Sequence, residues 1–302
     1  MFTSLVVRRS AQTPYRGLAT QAKGRSGLLV KRPEDVVVTF AKRTAMGRAR
    51  KGQLKDIPVD ELLHGLCKVD TLGWQILNPA LLEDICVAHG LDFRDGGTGA
   101  VKAGIFSEEI IPVEIRGTVI SVDDTVRQGV TLESLAALKP AFMENGASTA
   151  GNSSGVGDGA ALCILTTRAR AEKEGWEVVG KYVSSAFVGV EPRYMGISPV
   201  AAIPKVLAKT GLQKEDVDVW EINEAFASQF AYCVEQLQVP IEKINPNGGS
   251  IALTHPLGMT GTRQVVTGLA ELKRRGAEIL CTSMCIGSGM GGAAIFVNEA
   301  PP

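Results

Sequence analysis

Apolar residues recur along this chain with two different periods, and each period predicts a different kind of element. Short apolar runs rich in β-branched residues predict buried strands over residues 36–40, 83–88, 110–115, 160–166, 217–222, 278–285 and 293–297. Apolar residues spaced three or four apart predict helices over 60–66, 131–138, 200–209, 226–237 and 261–275. Because strands alternate with helices, most clearly in the second half, the pattern predicts a layered α/β fold.

Two stretches interrupt this pattern. Residues 89–104 contain five glycines and predict a joint inside the first half of the chain. Residues 172–176 follow a predicted strand and are expected to begin a linker. We therefore divide the chain into an N-terminal half of residues 34–171 and a C-terminal half of residues 172–302, preceded by a distinct segment of residues 1–33.

That first segment differs in composition from the rest. It contains seven lysines and arginines but no aspartate or glutamate, and serine and threonine are frequent. This composition is typical of a mitochondrial transit peptide, with cleavage expected near residues 16–19. The alternative is a basic tail without a targeting role.

Composition also excludes several classes of function. Lysine plus arginine equals aspartate plus glutamate at 32 each, so the net charge gives no basis for nucleic-acid binding. No run of eighteen apolar residues occurs, so a membrane span is not expected. The six cysteines are scattered, as in proteins with reduced thiols, and the CxxxC pair Cys281 and Cys285 lacks a second pair of metal ligands.

Three residues near the end of the chain carry groups suited to thioester chemistry. Asn223 follows a predicted strand and can bind a water or carbonyl near a helix N-terminus, or simply cap that helix. His255 lies in a glycine-rich loop and can donate to an oxyanion or take a thiol proton, unless it is structural or merely exposed. Cys285 precedes a glycine-rich turn whose N–H groups favour a thiolate base, unless it is a core cysteine.

With these residues the chain resembles the thiolase family, and within it the 3-ketoacyl-CoA thiolases of fatty-acid β-oxidation. The resemblance runs from about residue 34 to residue 299. It rests on seven short motifs taken together, at residues 43–47, 138–142, 149–154, 195–199, 223–226, 248–256 and 285–289. It implies a layered αβαβα fold of two similar halves, of which the N-terminal half is shortened here.

The resemblance also implies a reaction and its residues. Thiolases split a 3-ketoacyl-CoA with free CoA into acetyl-CoA and a shortened acyl-CoA, through a thioester on a cysteine. By resemblance, His255 activates that cysteine and helps bind the thioester oxygen, and Asn223 holds a water in the same oxyanion hole. Cys285 exchanges a proton with the acetyl-CoA enolate, and Gly287 donates an N–H to a second oxyanion hole. The implied partners are acyl-CoA, CoA as substrate and further copies of the chain, with no cofactor or metal.

Two departures from the family pattern bear on activity. Thr254 stands where the family usually has glycine, and a β-branched residue there is expected to strain the loop under His255 by about 1–3 kcal/mol. The larger departure is a missing segment, because residues 92–101 join two regions that a long stretch separates in the family. That stretch carries the nucleophilic cysteine. Cys86 matches a position in the preceding strand instead, and Cys67 lies in a helix-like stretch with no activating neighbour in sequence.

Two hypotheses follow from these observations. The first is an acetyl-CoA acyltransferase whose thiolytic activity is impaired because the nucleophile is missing. The alternative is a catalytically inactive thiolase-like protein that binds acyl-CoA or pairs with a complete subunit. A mitochondrial location is expected, with a peroxisomal location as the alternative.

Overall fold

The computed structural model describes residues 23–67, 99–127 and 129–301, and these residues form an α/β fold. The predicted strand over 83–88 and most of the glycine-rich joint lie outside the described residues. Within them the strands are β1 Val36–Arg43, β2 Gly47–Arg48, β3 Val113–Ile115, β4 Thr118–Ile120, β5 Gly157–Asp158, β6 Ala161–Thr167, β7 Gly180–Gly189, β8 Val219–Ile222, β9 Ile279–Ile286 and β10 Met290–Asn298.

The five predicted helices are confirmed, with ends shifted by up to about two residues. The helices of the described residues are α1 Arg25–Leu29, α2 Val59–Cys67, α3 Gly99–Lys102, α4 Leu132–Ala136, α5 Arg168–Glu174, α6 Pro199–Thr210, α7 Ala227–Leu237, α8 Ser250–Leu253 and α9 Thr260–Arg275. Gly211 and Gly276 end α6 and α9 at φ 71° and 60°, a conformation that glycine adopts without strain. None of the described helices has the length and hydropathy needed to cross a bilayer.

Six strands form one mixed sheet in the order β6-β1-β7-β10-β9-β8. The neighbours pair antiparallel, except that β8 and β9 run parallel. Strands from both halves of the chain therefore share a sheet, joined where β1 meets β7. The parallel pair matters for function because β8 and β9 both end at the edge where two of the predicted site residues lie.

Both faces of this sheet are covered by helices. On one face, α9 packs against β1, β6, β8, β9 and β10, with Leu269 and Leu272 in its apolar stripe. On the other face, α6 and α7 cover the strands of the C-terminal half, around the fully buried Trp220. The α2 helix covers the end formed by β1 and β6, through Leu62 and Leu66.

Several short elements, α1, α3, α8, β2, β4 and β5, are absent from the sequence-based expectations, and three longer segments also differ. The prediction that a linker begins at residue 172 is wrong, because Arg168–Glu174 is a helix. Thr167 caps its N-terminus and Gly175 ends it. The strand β7 was not predicted, since its serines and a buried lysine break the apolar pattern. The strand expected over 110–115 is confirmed only for Val113–Ile115.

Residues 23–33 are packed against the C-terminal half. Leu28 of α1 is buried in the core under α6. Arg25 bonds the Asp216 carbonyl over 2.6 Å, Glu278 over 2.8 Å and Asp218 over 3.1 Å. The last third of the predicted leader thus contributes to the folded domain, whereas residues 1–22 lie outside the described residues.

Candidate active site

Asn223 is positioned by the end of β8. Ile222 lies opposite Ser283 of β9, and the Asn223 backbone N–H donates to the Ser283 carbonyl over 2.9 Å. The helix α7 begins only at Ala227, with Phe226 as its N-cap, so the alternative that Asn223 caps the helix is wrong. The side chain of Asn223 is buried and is left to bond across the edge of the sheet.

His255 approaches Asn223 from the loop between α8 and α9. Asn223 Nδ2 lies 3.1 Å from His255 Nε2, and His255 Nδ1 lies 2.6 Å from Thr260 Oγ1. The Thr260 hydroxyl donates its single proton to the Pro256 carbonyl over 2.9 Å, so it accepts from His255 Nδ1–H. His255 is therefore the Nδ1–H tautomer, and its unprotonated Nε2 accepts from Asn223.

The surroundings of His255 keep its ring neutral. Burial is the main cause and the charge of Arg263 is the second, and together they lower the pKa of His255 from 6.5 to about 4. The residue is only 6% exposed, which rules out a merely exposed histidine. At neutral pH Nε2 therefore carries no proton, and its lone pair accepts from Asn223.

A second set of buried polar groups holds Asn223 from the other side. Ser250, the first residue of α8, donates its hydroxyl to Asn223 Oδ1 over 2.5 Å. Asn245 bonds both the N–H and the carbonyl of Ile222, over 2.9 and 2.8 Å, and so fixes the end of β8. Asn245 also donates to Glu224 over 2.7 Å, and Glu224 accepts from the backbone of α8 over 3.2 Å. The Asn223 amide therefore has one orientation, with its nitrogen toward His255.

Thr254, directly before His255, has the strained backbone that its β-branched side chain predicts. Its φ of 75° and ψ of 169° lie in a region that essentially only glycine occupies. Its hydroxyl is buried without a hydrogen-bond partner among the described residues. Its methyl group lies over Gly157, where an added Cβ would stand 2.3 Å from it. The surrounding contacts nevertheless hold the His255 ring against Asn223.

Cys285 lies on β9, two residues beyond Ser283, at the same edge of the sheet. Strand alternation puts it on the face of Cys281, which packs with Trp220 under α6 and α7, whereas His255 is held by α9. Among the described residues, no side-chain hydrogen bond joins Cys285 to His255 or Asn223. The structure thus brings two of the three predicted residues into contact and places the third on the neighbouring strand.

The ionisation predicted for Cys285 is wrong in direction. Burial raises the pKa of the Cys285 thiol, and a hydrogen bond to the backbone offsets only part of that effect. The thiol is therefore the resting form. Gly287 follows at the start of the β9–β10 turn, where an added Cβ would meet nothing within 4 Å, so a ligand can approach its backbone.

The N-terminal half closes the site through its backbone. The Ser154 N–H donates to the Ala225 carbonyl over 3.0 Å, and the His255 N–H donates to the Gly155 carbonyl. Residues 154–155 therefore contact both the loop after β8 and the loop before α9. In the described part of the chain, no group of three or more histidine, cysteine, aspartate or glutamate residues could hold a metal ion.

Comparison with known proteins decides the family. Residues 94–169 match the model of the thiolase N-terminal domain, and residues 176–298 match that of the thiolase C-terminal domain. The fold also superposes on the dimeric peroxisomal thiolase of Saccharomyces cerevisiae with a TM-score of 0.79 and 32% identity, covering 91% of this chain and 100% of that one. The chain belongs to the thiolase family.

Sequence relatives are similar to this thiolase over part of their length. The human peroxisomal 3-ketoacyl-CoA thiolase is 53% identical over 207 residues, which is 65% of this chain and 49% of the relative. The corresponding protein of Saccharomyces cerevisiae is 49% identical over 202 residues, or 66% of this chain and 48% of the relative. The chain thus spans about half the length of the curated relatives it matches.

Sequence reasoning on this thiolase missed the residues that orient the site. Ser250, Thr260 and Asn245 each bond a site group or its strand, yet serine, threonine and asparagine in loops are too common to single out. A usable signal was the threonine five residues after His255, at the first position of an amphipathic helix.

Proposed function

We propose that this chain binds acyl-CoA and catalyses thiolase-type proton transfer at the carbon next to the thioester, with thiolysis of 3-ketoacyl-CoA strongly impaired. The observation that carries the proposal is the contact between Asn223 Nδ2 and His255 Nε2, with Nδ1 held by Thr260. In this tautomer Nε2 can accept a thiol proton, and the neighbouring Asn223 amide can donate to a thioester oxygen.

His255 has two successive tasks in this scheme. Its Nε2 takes the proton of an attacking thiol, so that an S–H bond breaks and an N–H bond forms. The resulting imidazolium then donates that N–H to the oxyanion that develops on the thioester carbonyl. Asn223 supports the same oxygen, directly or through a water, because protonation of Nε2 frees the Nδ2 hydrogen that His255 accepts in the resting state.

Cys285 performs the proton transfer at carbon. Because burial raises its pKa, the resting thiol is a proton donor, which suits protonation of an acetyl-CoA enolate. In that step the S–H bond breaks and a C–H bond forms, leaving a thiolate. The reverse step removes a proton from acetyl-CoA and needs the thiolate, so its rate should rise with pH. Gly287 would place a backbone N–H on the enolate oxygen.

The covalent step lacks an obvious nucleophile. Cys233 and Cys281 are buried, with their pKa values raised mainly by burial, and Cys163 lies within β6. None of these three described cysteines is at a helix N-terminus, where a thiolate would be stabilised. The Cys67 side chain and Cys86 lie outside the described residues. We therefore expect acyl transfer to be far slower than proton exchange.

The names of the relatives bear on partners and location. The yeast structure is described as dimeric, and a human mitochondrial 3-ketoacyl-CoA thiolase, 26% identical with a TM-score of 0.76, was solved in complex with CoA. We accordingly propose CoA and acyl-CoA as ligands and a homo-oligomer as the assembly.

The sequence relatives above are peroxisomal, which favours the peroxisomal alternative over a mitochondrial one. Imaging a C-terminally tagged chain against markers of both organelles separates the two.

The proposal is tested by two assays on one preparation. The first follows deuterium uptake at C2 of acetyl-CoA in deuterated buffer by NMR, and the second follows thiolysis of a 3-ketoacyl-CoA by added CoA. We expect measurable exchange and thiolysis slower by roughly a thousandfold or more, as after loss of a nucleophile. Thiolysis as fast as exchange would show that the chain contains a nucleophile. Acyl-CoA binding without either reaction would support the inactive alternative.

A further inference from the structure

Gln264 bonds both strands that carry the site. Its Nε2 donates to the Glu221 carbonyl of β8 over 2.8 Å and to the Ser283 carbonyl of β9 over 3.1 Å. The side chain is 1% exposed, so neither bond competes with water. One amide group therefore spans the two parallel strands near their ends.

Each of the two carbonyls that Gln264 bonds lies two residues before a site residue on the same strand. Asn223 is two residues beyond Glu221, and Cys285 is two residues beyond Ser283. The Ser283 carbonyl also accepts the Asn223 backbone N–H over 2.9 Å, so the contacts of Gln264 and Asn223 share an atom. A change in the Gln264 bonds would shift both site residues together.

The same helix also orients the third group. Thr260, one turn before Gln264 on α9, accepts from His255 Nδ1. Side chains four residues apart lie on the same face of a helix. We propose that Gln264 is a positioning residue of the site: together with Thr260 it makes the first two turns of α9 the frame that sets Asn223, His255 and Cys285 relative to one another.

The test compares two polar residues on one helix. Gln264→Met removes both donated bonds while keeping the length of the side chain. Thr267→Val, one turn further along α9, is the matched control because its hydroxyl bonds Glu109 of the N-terminal half over 3.0 Å instead of a site strand. Both residues are buried, so both variants lose buried hydrogen bonds, two in Gln264→Met and one in Thr267→Val.

The first readout is independent of catalysis. The chain has three histidines, so the imidazole nitrogens of His255 can be assigned in a ¹⁵N spectrum by comparison with His255→Gln. We expect Gln264→Met to move the His255 Nε2 resonance, because Asn223 shifts, and Thr267→Val to leave it in place. An unmoved resonance in a folded Gln264→Met protein would overturn the inference.

The second readout rests on the proposed function. For deuterium exchange into acetyl-CoA, we expect Gln264→Met to lower the saturated rate by about 10- to 100-fold, with half-saturation changed by less than about threefold. If Gln264→Met and Thr267→Val lowered the saturated exchange rate equally, Gln264 would contribute to stability but would not position the site. If Gln264→Met does not fold, Gln264→Asn decides, since its shorter amide reaches at most one carbonyl. Absence of exchange in the wild type would remove the proposed function but leave the ¹⁵N test valid.

Discussion

The Arg43 cluster of the N-terminal half and the Asn223–His255 pair of the candidate site depend on charge to different degrees. In the N-terminal half, Arg43 is fully buried and bonds Glu109 over 2.5 Å and Asp123 over 2.8 and 2.9 Å. In the C-terminal half, the side chains that bond Asn223 directly, Ser250 and His255, are neutral, although the buried Arg263–Glu221 ion pair lies in the same half. The first half thus depends on ion pairs that must stay complete, whereas the site depends on the direction of neutral hydrogen bonds. Substitution and pH should therefore affect the two regions differently.

The largest expected effect comes from breaking the ion pair of the N-terminal half. Asp123→Ala leaves the buried Arg43 guanidinium without its bidentate partner and removes an acceptor from the Met46 N–H. We expect the free energy of unfolding to fall by about 3–5 kcal/mol, as for other buried pairs that lose one member. Urea denaturation at pH 7 measures the change.

The neighbouring carboxylate is the matched control. Asp124 accepts from the backbone N–H groups of Arg48 and Gln53 over 2.9 and 2.6 Å, and its side chain is 24% exposed. Asp124→Ala should therefore lower the free energy of unfolding by only about 1–2 kcal/mol. Equal losses in the two variants would contradict the role given to the Arg43 pair.

The next effect is a pH dependence that belongs to the site. The pKa of His255 is about 4 in the folded chain and 6.5 when exposed, so the unfolded state binds more protons between these values. The contribution of neutral, buried His255 to the free energy of unfolding is fully present above pH 6.5 and is lost as the pH falls toward 4. The difference of 2.5 pKa units corresponds to about 3 kcal/mol.

The variant His255→Gln separates the pH dependence caused by His255 from that caused by Glu221. Burial raises the pKa of Glu221 to about 7, so its effect has the opposite sign and is lost as the pH rises from 4.5 to 7. We therefore compare the wild type with His255→Gln by urea denaturation between pH 4 and pH 7. The difference in free energy of unfolding should shrink toward low pH. A constant difference would show that His255 titrates normally.

The fold was predictable where one pattern dominated locally. The stripe of α9 and its final Gly276 predicted that helix nearly to the residue. The strand β7 was not predictable from its own sequence, because Lys181 is buried only with the help of Asp35 and the Val30 carbonyl. Such a strand is fixed by neighbours on both sides and by partners distant in sequence, which no local pattern contains.

The identity of the site residues was predictable from the sequence, but their protonation was predicted less well. The motifs identified Asn223, His255 and Cys285, and the first two are in contact. The thiolate expectation for Cys285 considered the N–H groups of the turn but not desolvation at a buried strand end, which is the larger effect. The Gln264 bonds connect residues 19 and 43 positions apart and could not be inferred from spacing.

Relief of strain at the site should increase stability. Thr254→Gly removes a side chain from a glycine-only conformation and deletes a buried hydroxyl without a partner among the described residues. We expect a gain of about 1–3 kcal/mol in free energy of unfolding. Gln238→Gly is the control, because Gln238 has φ 51° in the milder left-handed helical region, and its gain should stay below about 1 kcal/mol. A loss in Thr254→Gly would contradict the assignment of strain.

The smallest expected effect concerns the segment before β1. Arg25→Ala removes contacts to Asp218, Glu278 and a backbone carbonyl, and should lower the free energy of unfolding by about 1 kcal/mol. Lys31→Ala, whose side chain is 63% exposed beside Glu299, should have almost no effect. Thermal unfolding of both variants measures the difference. Equal, negligible changes would mean that α1 is not held by its ion pairs.

The central claim is that His255 and Cys285 act on the thioester of acyl-CoA. The most direct measurement is deuterium uptake at C2 of acetyl-CoA by the wild type, His255→Gln and Cys285→Ala, with His64→Gln on the exposed face of α2 as the control. We predict that Cys285→Ala loses about 100-fold or more of the exchange rate. His255→Gln, which removes the partner that orients Asn223 Nδ2, should lose a smaller part of it. The control should keep the rate, and the wild-type rate should rise with pH. Exchange no faster than in buffer alone for the wild type, or unchanged in either site variant, would contradict the account.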